Sequence, residues 1–112
     1  SNAKRSGTNE LLKRKNELKA SASSNSVIQE ILSRDVLSGK DLKKIRDELG
    51  VSLEMISDIA KIRVVLLRAI EEDQFGKTLS KMFLKSFLRS DAQCIGLDAD
   101  VVVNRYLKGV ID

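Results

Sequence analysis

Apolar residues recur at intervals of three and four along most of the chain from Val27 onward, which is the spacing of one face of an α-helix. Proline is absent, the chain has no Asn-Gly hairpin dipeptide, and no segment alternates steadily between apolar and polar residues, so strands have little support. The pattern predicts an all-α fold, a compact bundle of five or six helices joined by short connections. The predicted helices cover about residues 27–34, 40–49, 53–60, 63–75, 78–96 and 98–109.

Residue types that favour helix ends separate these segments. We expect N-caps at Ser26, at Ser38 or Gly39, at Ser52, at Thr78 and at Asp98, with Gln29 completing a capping box at the first of them. We expect C-terminal ends near Gly50, Lys61, the pair Phe75 and Gly76, and Gly109. By the same spacing, Phe83 and Phe87 are expected in the core, whereas Glu71 and Glu72 are expected to face solvent.

The N-terminal part of the chain differs in composition from the rest. Residues 8–20 hold only three leucines among many charges. We expect this segment to be helical only if it packs against another part of the protein. Residues 21–26 read SASSNS, a small polar run that is typical of a linker. We therefore predict a basic tail and linker over residues 1–26, in which 1–3 are left by cloning, and a helical domain over residues 27–112.

The net charge is concentrated in the tail. The chain has 20 basic and 16 acidic residues, but up to Arg34 it has seven basic residues against three acidic ones, so the remainder is neutral. Affinity for nucleic acid depends mainly on clustered Lys and Arg, so a neutral domain weakens that interpretation without excluding a local basic patch.

The composition also narrows the class of function. With 42% hydrophobic residues the chain is expected to fold, while the absence of His and the single Cys94 exclude a Cys/His zinc site, a disulfide framework and a His-based triad. There is no glycine-rich phosphate loop, no paired-carboxylate motif, and no apolar run long enough to span a bilayer. We expect no enzyme activity, no cofactor, no metal and no small-molecule substrate. Cys94 is expected to be a small buried apolar residue.

Residues 52–71 have the apolar spacing of a helix-turn-helix. Two short helices crossing at a tight turn need inward residues at fixed offsets. The residues at those offsets are Ile56, Ala60, Ile62, Leu67 and Ile70.

A longer stretch resembles a known family. The strings LKKIRDELGVSLE, KIR with AIEEDQF, and FLRS with GLD and YL, between about Leu42 and Leu107, resemble the cytoplasmic helix-turn-helix domain of the RodZ family of bacterial cell-shape proteins, itself similar to phage-repressor domains. The resemblance implies a five-helix domain that docks on the actin-like filament protein MreB beneath the membrane. Family members usually continue into a transmembrane helix and a periplasmic part. Neither occurs here, so the chain looks either like a cytoplasmic module or like a family member with another architecture. A segment outside the chain could tether such a module to the membrane.

The second helix of the motif offers two alternative surfaces. A DNA-reading helix presents side chains that bond base edges in the major groove. The residues available for such readout are Lys61, Arg63, Val64, Val65 and Arg68. The valines suit base readout poorly, and Glu71, Glu72 and Asp73 would face phosphate if that end of the helix approached the DNA backbone. We therefore favour a solvated face or a protein-docking face over specific base recognition. The two valines are either exposed as an apolar patch or buried against residues 27–32.

The longest predicted helix carries a second candidate surface. Lys77, Lys81, Lys85 and Arg89 are spaced by four residues and form a basic ridge. Such a ridge commonly only solubilises a helix, but it also suits an acidic protein surface, anionic lipid or phosphate. The family resemblance implies that an aromatic residue on this helix, Phe83 or Phe87, is an alternative candidate for a filament contact. Asp91 stands where relatives often carry tyrosine, so no filament contact is carried over to it.

The leading hypothesis is a non-catalytic RodZ-like module that binds a protein partner, MreB by resemblance. Its binding residues would be Val64, Val65, Lys81, Lys85 and Arg89. The alternatives are a DNA-binding regulator and an accessory domain of a larger protein.

Overall fold

The computed structural model describes residues 2–74 and 80–110, with side chains from residue 13 onward. The described residues form helices and no strand, which confirms the predicted all-α class. The helices are α1 (Asn2–Ser24), α2 (Ser26–Leu32), α3 (Gly39–Leu49), α4 (Leu53–Ala60), α5 (Val64–Glu71), α6 (Lys81–Cys94) and α7 (Ala99–Lys108).

Several helix ends form as the residue types predict. The Ser38 hydroxyl accepts the Asp41 N–H and the Asp41 carboxylate accepts the Ser38 N–H, which completes a capping box at the start of α3. Ser52 and Asp98 cap α4 and α7 through their side-chain oxygens. Gly50 ends α3 with a φ of 68°, in the left-handed region that glycine enters without strain.

The serine-rich run is helical, so the predicted linker is wrong. Residues 21–24 form the last turn of α1, in which Ala22 is buried. Ser23 and Ser24 donate their hydroxyls to carbonyls one turn earlier, which satisfies these side chains inside a helix. The division into residues 1–26 and 27–112 stays a prediction, but no linker separates the two parts.

The cap of α2 is also displaced by one residue. Asn25 accepts the Ile28 N–H at 3.0 Å and caps the helix, whereas Ser26 is its first residue. Gln29 does not complete a capping box. Its side-chain amide donates to the Ala22 carbonyl at 2.9 Å and ties α2 to α1.

The boundary between α5 and α6 differs from the prediction as well. Helix α5 ends at Glu71, with Glu72 as its C-cap, and α6 begins at Lys81 with Ser80 as its N-cap. The predicted end at Phe75 and Gly76 and the predicted cap Thr78 lie outside the described residues.

One core joins the seven helices formed by the described residues. The inward residues of the predicted helix-turn-helix are buried, with Ala60 half-buried at its edge. The largest side chains with almost no exposed surface are Tyr106, Ile28, Leu37, Ile45, Ile56, Leu67, Ile70, Leu84, Leu88 and Val102.

The start of α3 packs directly on the end of α5. A Cβ at Gly39 would lie 2.3 Å from the Ile70 carbonyl oxygen and 2.4 Å from that of Glu71, so only glycine allows this approach. The Ile70 carbonyl also accepts the Tyr106 hydroxyl at 2.8 Å, which brings α7 to the same point. Three helices therefore meet at the last turn of α5.

A pair of glycine variants tests this contact. We expect Gly39→Ala to lower the free energy of unfolding by about 3 kcal/mol, because the methyl group overpacks against backbone atoms that cannot rotate away. Gly50→Ala meets no atom within 4 Å and loses only about 1 kcal/mol for its left-handed conformation. Urea denaturation of both variants measures the difference, and equal losses would contradict the packing described.

Candidate partner-binding surface

The turn between α4 and α5 is tight and is formed without glycine. Lys61 adopts φ 59° and ψ 40°, and its N–H donates to the Ser57 carbonyl at 2.9 Å. Ile62 follows and is buried, which holds the two helices together. The Lys61 side chain is left on the surface at the start of α5.

The two valines in the first turn of α5, which the sequence left as either exposed or buried, have different environments. Val64 is half-buried against the core, whereas Val65 is 62% exposed. Arg63 and Arg68 are exposed on the same helix. The predicted surface on α5 therefore consists of Val65 and the cations Lys61, Arg63 and Arg68, with Val64 at its edge.

Glu71 does not face solvent, and that expectation is wrong. It is 8% exposed and accepts two hydrogen bonds from the Arg46 guanidinium, at 2.7 Å from Nε and 3.0 Å from Nη2. Arg46 also donates to the Val51 carbonyl at 2.9 Å. The last turn of α5 lies against α3. Glu71, which the sequence pattern placed on the polar side of α5, therefore forms an internal ion pair.

Asp73 is also engaged within the domain. Its φ is 56°, and its carboxylate accepts the Gly39 N–H at 3.0 Å. Of the three acids expected to face phosphate, only Glu72 is exposed without such an internal bond among the described residues.

Asp91 lies beside the Arg46–Glu71 pair and is 6% exposed. Burial raises the pKa of Asp91 to about 7, the negative charge of Glu71 adds to this rise, and Arg46 opposes it. Within the described part of the chain, no ion pair involves Asp91, since Arg46 pairs with Glu71 and Asp47. One partly buried cation thus faces two buried carboxyl groups.

Cys94 is half-buried one turn further along α6. Burial raises the pKa of its thiol, and the neighbouring Asp91 adds to that rise. The thiol therefore stays protonated near neutral pH, and it is not an activated nucleophile.

The ridge residues of α6 lie on the surface. Lys81, Lys85 and Arg89 are exposed, and Lys77 falls outside the described residues. Arg89 forms an ion pair with Asp100 at 2.9 Å, and both side chains are largely exposed. Such a pair contributes little to stability, so Arg89 can exchange Asp100 for another anion at small cost.

The placement of Phe83 in the core is wrong. Phe83 is 53% exposed and Met82 is 72% exposed, while Phe87 is half-buried with its ring stacked on Phe83 at a centroid distance of 6.2 Å. Leu84 and Leu88 occupy the buried face instead. The sequence shows two adjacent apolar stripes on this helix, a face wider than a single packing contact covers, but it does not show which stripe is buried.

No group of three or more acidic or Cys residues that could hold a metal ion occurs among the described residues.

The comparisons with known proteins bear on the family of the domain. The model of a helix-turn-helix domain family matches residues 41–102, more than half of the chain. The chain belongs to this helix-turn-helix family. The cytoskeleton protein RodZ of Streptococcus pneumoniae (strain ATCC BAA-255 / R6) is 31% identical over 71 residues, which are 63% of this chain and 26% of that protein. The chain is thus a RodZ-like helix-turn-helix domain, spanning about a quarter of that relative's length.

No solved structure matches the chain. Helices α1 and α2 of this RodZ-like chain precede the residues that the family model matches. No helix in the described part of the chain is long and apolar enough to cross a membrane.

The buried carboxyl group of Asp91 makes stability depend on pH. Its folded pKa of about 7 lies above the ordinary value of 3.8, so the folded state binds the proton more tightly and loses stability as pH rises from about 4 to about 7. The loss is about 4 kcal/mol for a shift of this size. We expect Asp91→Asn to remove most of this loss, so that the variant is more stable than the parent at pH 8 and gains much less at pH 4.

Chemical denaturation at both pH values measures the effect. Asp58→Asn is the matched control, because it makes the same substitution at a carboxyl group that is exposed on α4. A parent chain as stable at pH 8 as at pH 4 would contradict the description of Asp91.

Proposed function

We propose that this chain is a non-catalytic RodZ-like module that binds a protein partner through α5 and α6, with the actin-like filament protein MreB as the first partner to test. The RodZ relative is named a cytoskeleton protein, and the helix-turn-helix family model covers most of α3 to α7. The module would act in the cytoplasm, either alone or tethered through a segment outside this chain.

The exposed apolar side chains carry the proposal. The three most exposed large apolar residues among those described are Met82, Val65 and Phe83. They lie on α5 and α6, two helices that pack against each other. Exposed apolar and aromatic residues near cations are typical of protein interfaces, where their burial supplies affinity. In this proposal Lys81, Lys85 and Arg89 orient the partner around that apolar centre, and Val64 lines its edge.

Replacement of the apolar centre tests the proposal. We expect Met82→Ser with Phe83→Ser to weaken co-sedimentation with purified MreB filaments by about tenfold or more, because two anchors of a docking surface are lost. Val36→Ser is the control, since Val36 is 46% exposed but lies in the connection between α2 and α3. Equal binding by the double variant, the control and the parent would exclude this surface.

DNA binding is a second candidate that one observation favours. Because Glu71 is buried and paired with Arg46, the acidic charge at the end of α5 is smaller at the surface than its sequence suggests. Arg63 and Arg68 remain exposed and are able to bond guanine or phosphate.

A binding assay with duplex DNA separates this candidate from protein docking. If the chain reads DNA, its affinity should fall steeply with salt, and Arg63→Ala should weaken binding while Met82→Ser with Phe83→Ser should not. Gel-shift titrations at about 50 mM salt measure both effects. The absence of any shifted band under these conditions would exclude DNA binding.

A further inference from the structure

Two basic features that are far apart in sequence meet in the folded chain. Lys15 and Lys19 of α1 and Arg89 of α6 line one groove, which also contains the Gln93 side chain. Lys85 lies one turn before Arg89 on α6, so the cations continue along that helix. We call Lys15, Lys19, Lys85 and Arg89 the basic band.

The position of α1 against this groove is set by close backbone packing. Gly96 has a φ of 76°, and a Cβ there would lie 2.6 Å from the backbone nitrogen of Lys19. Ala22 is buried and Leu18 is half-buried one turn apart on α1. Lys15 and Lys19 therefore extend from a backbone that is fixed beside α6, rather than from a free tail.

The acidic residues at the groove leave its positive character in place. Asp98 uses its carboxylate to cap α7, and Asp100 forms the exposed pair with Arg89. Two acids already engaged in these contacts face the three cations that line the groove, and Lys85 adds a fourth cation one turn away on α6. An acidic group on a partner can replace Asp100 at Arg89 with little loss, since exposed pairs are weak.

The apolar residue at one end of the band indicates the kind of partner. Met82, Lys85, Arg89 and Gln93 recur at intervals of three and four residues, so they lie along one stripe of α6. Met82 is 72% exposed at the end of that stripe. A protein surface offers an apolar pocket next to carboxylates, whereas the phosphate backbone of a duplex offers no apolar contact for this side chain.

We propose that α1 is part of the partner-binding surface and that the basic band binds an acidic, Asp- and Glu-rich stretch of the partner protein. This inference rests on the proposed function, because it names the chemistry of the partner that α6 contacts. It assigns a role to α1, which lies outside the residues shared with the family model.

Binding of the full chain to poly-L-glutamate tests the band without a purified partner. At about 50 mM salt we expect Lys15→Glu with Lys19→Glu to weaken this binding by about tenfold, because two cations of the band become repulsive. Lys43→Glu with Lys44→Glu is the matched control, since both lysines are exposed on α3 away from the groove, and we expect a change of no more than about threefold. Equal losses in the two variants would overturn the band.

A variant that keeps the net charge tests whether binding needs α1 in its packed position or only the total charge of the chain. Gly96→Ala keeps every cation but displaces α1 from α6, since the added methyl group meets the Lys19 backbone. Faster tryptic cleavage within α1 reports the displacement. We expect weaker binding to poly-L-glutamate once α1 is displaced, and unchanged binding would overturn the requirement for the packed arrangement.

Parallel titrations identify the class of partner. Tighter band-dependent binding to a duplex DNA or to phosphatidylglycerol vesicles than to poly-L-glutamate would overturn the assignment to an acidic protein.

Binding to MreB filaments distinguishes the failure of the basic band from the failure of the proposed function. Binding that is lost on Phe83→Ser but kept by Lys15→Glu with Lys19→Glu would overturn the band alone. Band-dependent poly-L-glutamate binding without any filament binding would support the band while excluding MreB as its partner.

Discussion

The buried pair between Arg46 and Glu71 is the contact on which the helix-turn-helix depends. It joins the first helix of the family domain to the last turn of α5 through two hydrogen bonds, at 2.7 Å and 3.0 Å. Removing one partner of such a pair leaves an uncompensated charge inside the protein, which costs about 3–5 kcal/mol. The contacts of Gly39 and Tyr106 with the carbonyl groups of the same turn reinforce it, so α3, α5 and α7 are held at one point.

This anchoring makes the two ends of α5 different. The C-terminal end is bonded within the domain, and its acids are largely used there. The N-terminal end carries Arg63 and Val65 to the surface, and Arg68 is exposed in the last turn. A helix that would read DNA in other proteins of this fold class thereby presents a short surface with both apolar and basic side chains. The carboxyl group of Asp91, placed against the anchoring pair, makes the packing of α6 on this centre sensitive to protonation.

The N-terminal helices are attached to the family domain by different contacts. The Arg105 guanidinium donates to the Leu32 carbonyl and the Leu37 N–H donates to the Arg105 carbonyl at 3.1 Å, which joins the end of α2 and the connection after it to α7. Gly96 admits the backbone of α1 next to α6. These contacts place Lys15 and Lys19 of α1 beside Arg89, so part of the excess positive charge of the chain lies on a folded surface.

The sequence by itself determined the helical class, most of the caps and the helix-turn-helix, because each depends on local chemistry. Ser38, Ser52 and Asp98 cap their helices and Gly50 ends one through contacts with residues that are close in sequence. Tertiary structure alone decided the fate of side chains whose environment is supplied by distant residues. Glu71 is buried because Arg46 reaches it, Phe83 is exposed because the buried face of α6 is filled by Leu84 and Leu88, and residues 21–24 are helical with Ala22 buried against the domain. Helical spacing gives the direction in which a side chain points from the axis of its helix. Whether another helix lies in that direction depends on how the helices are assembled.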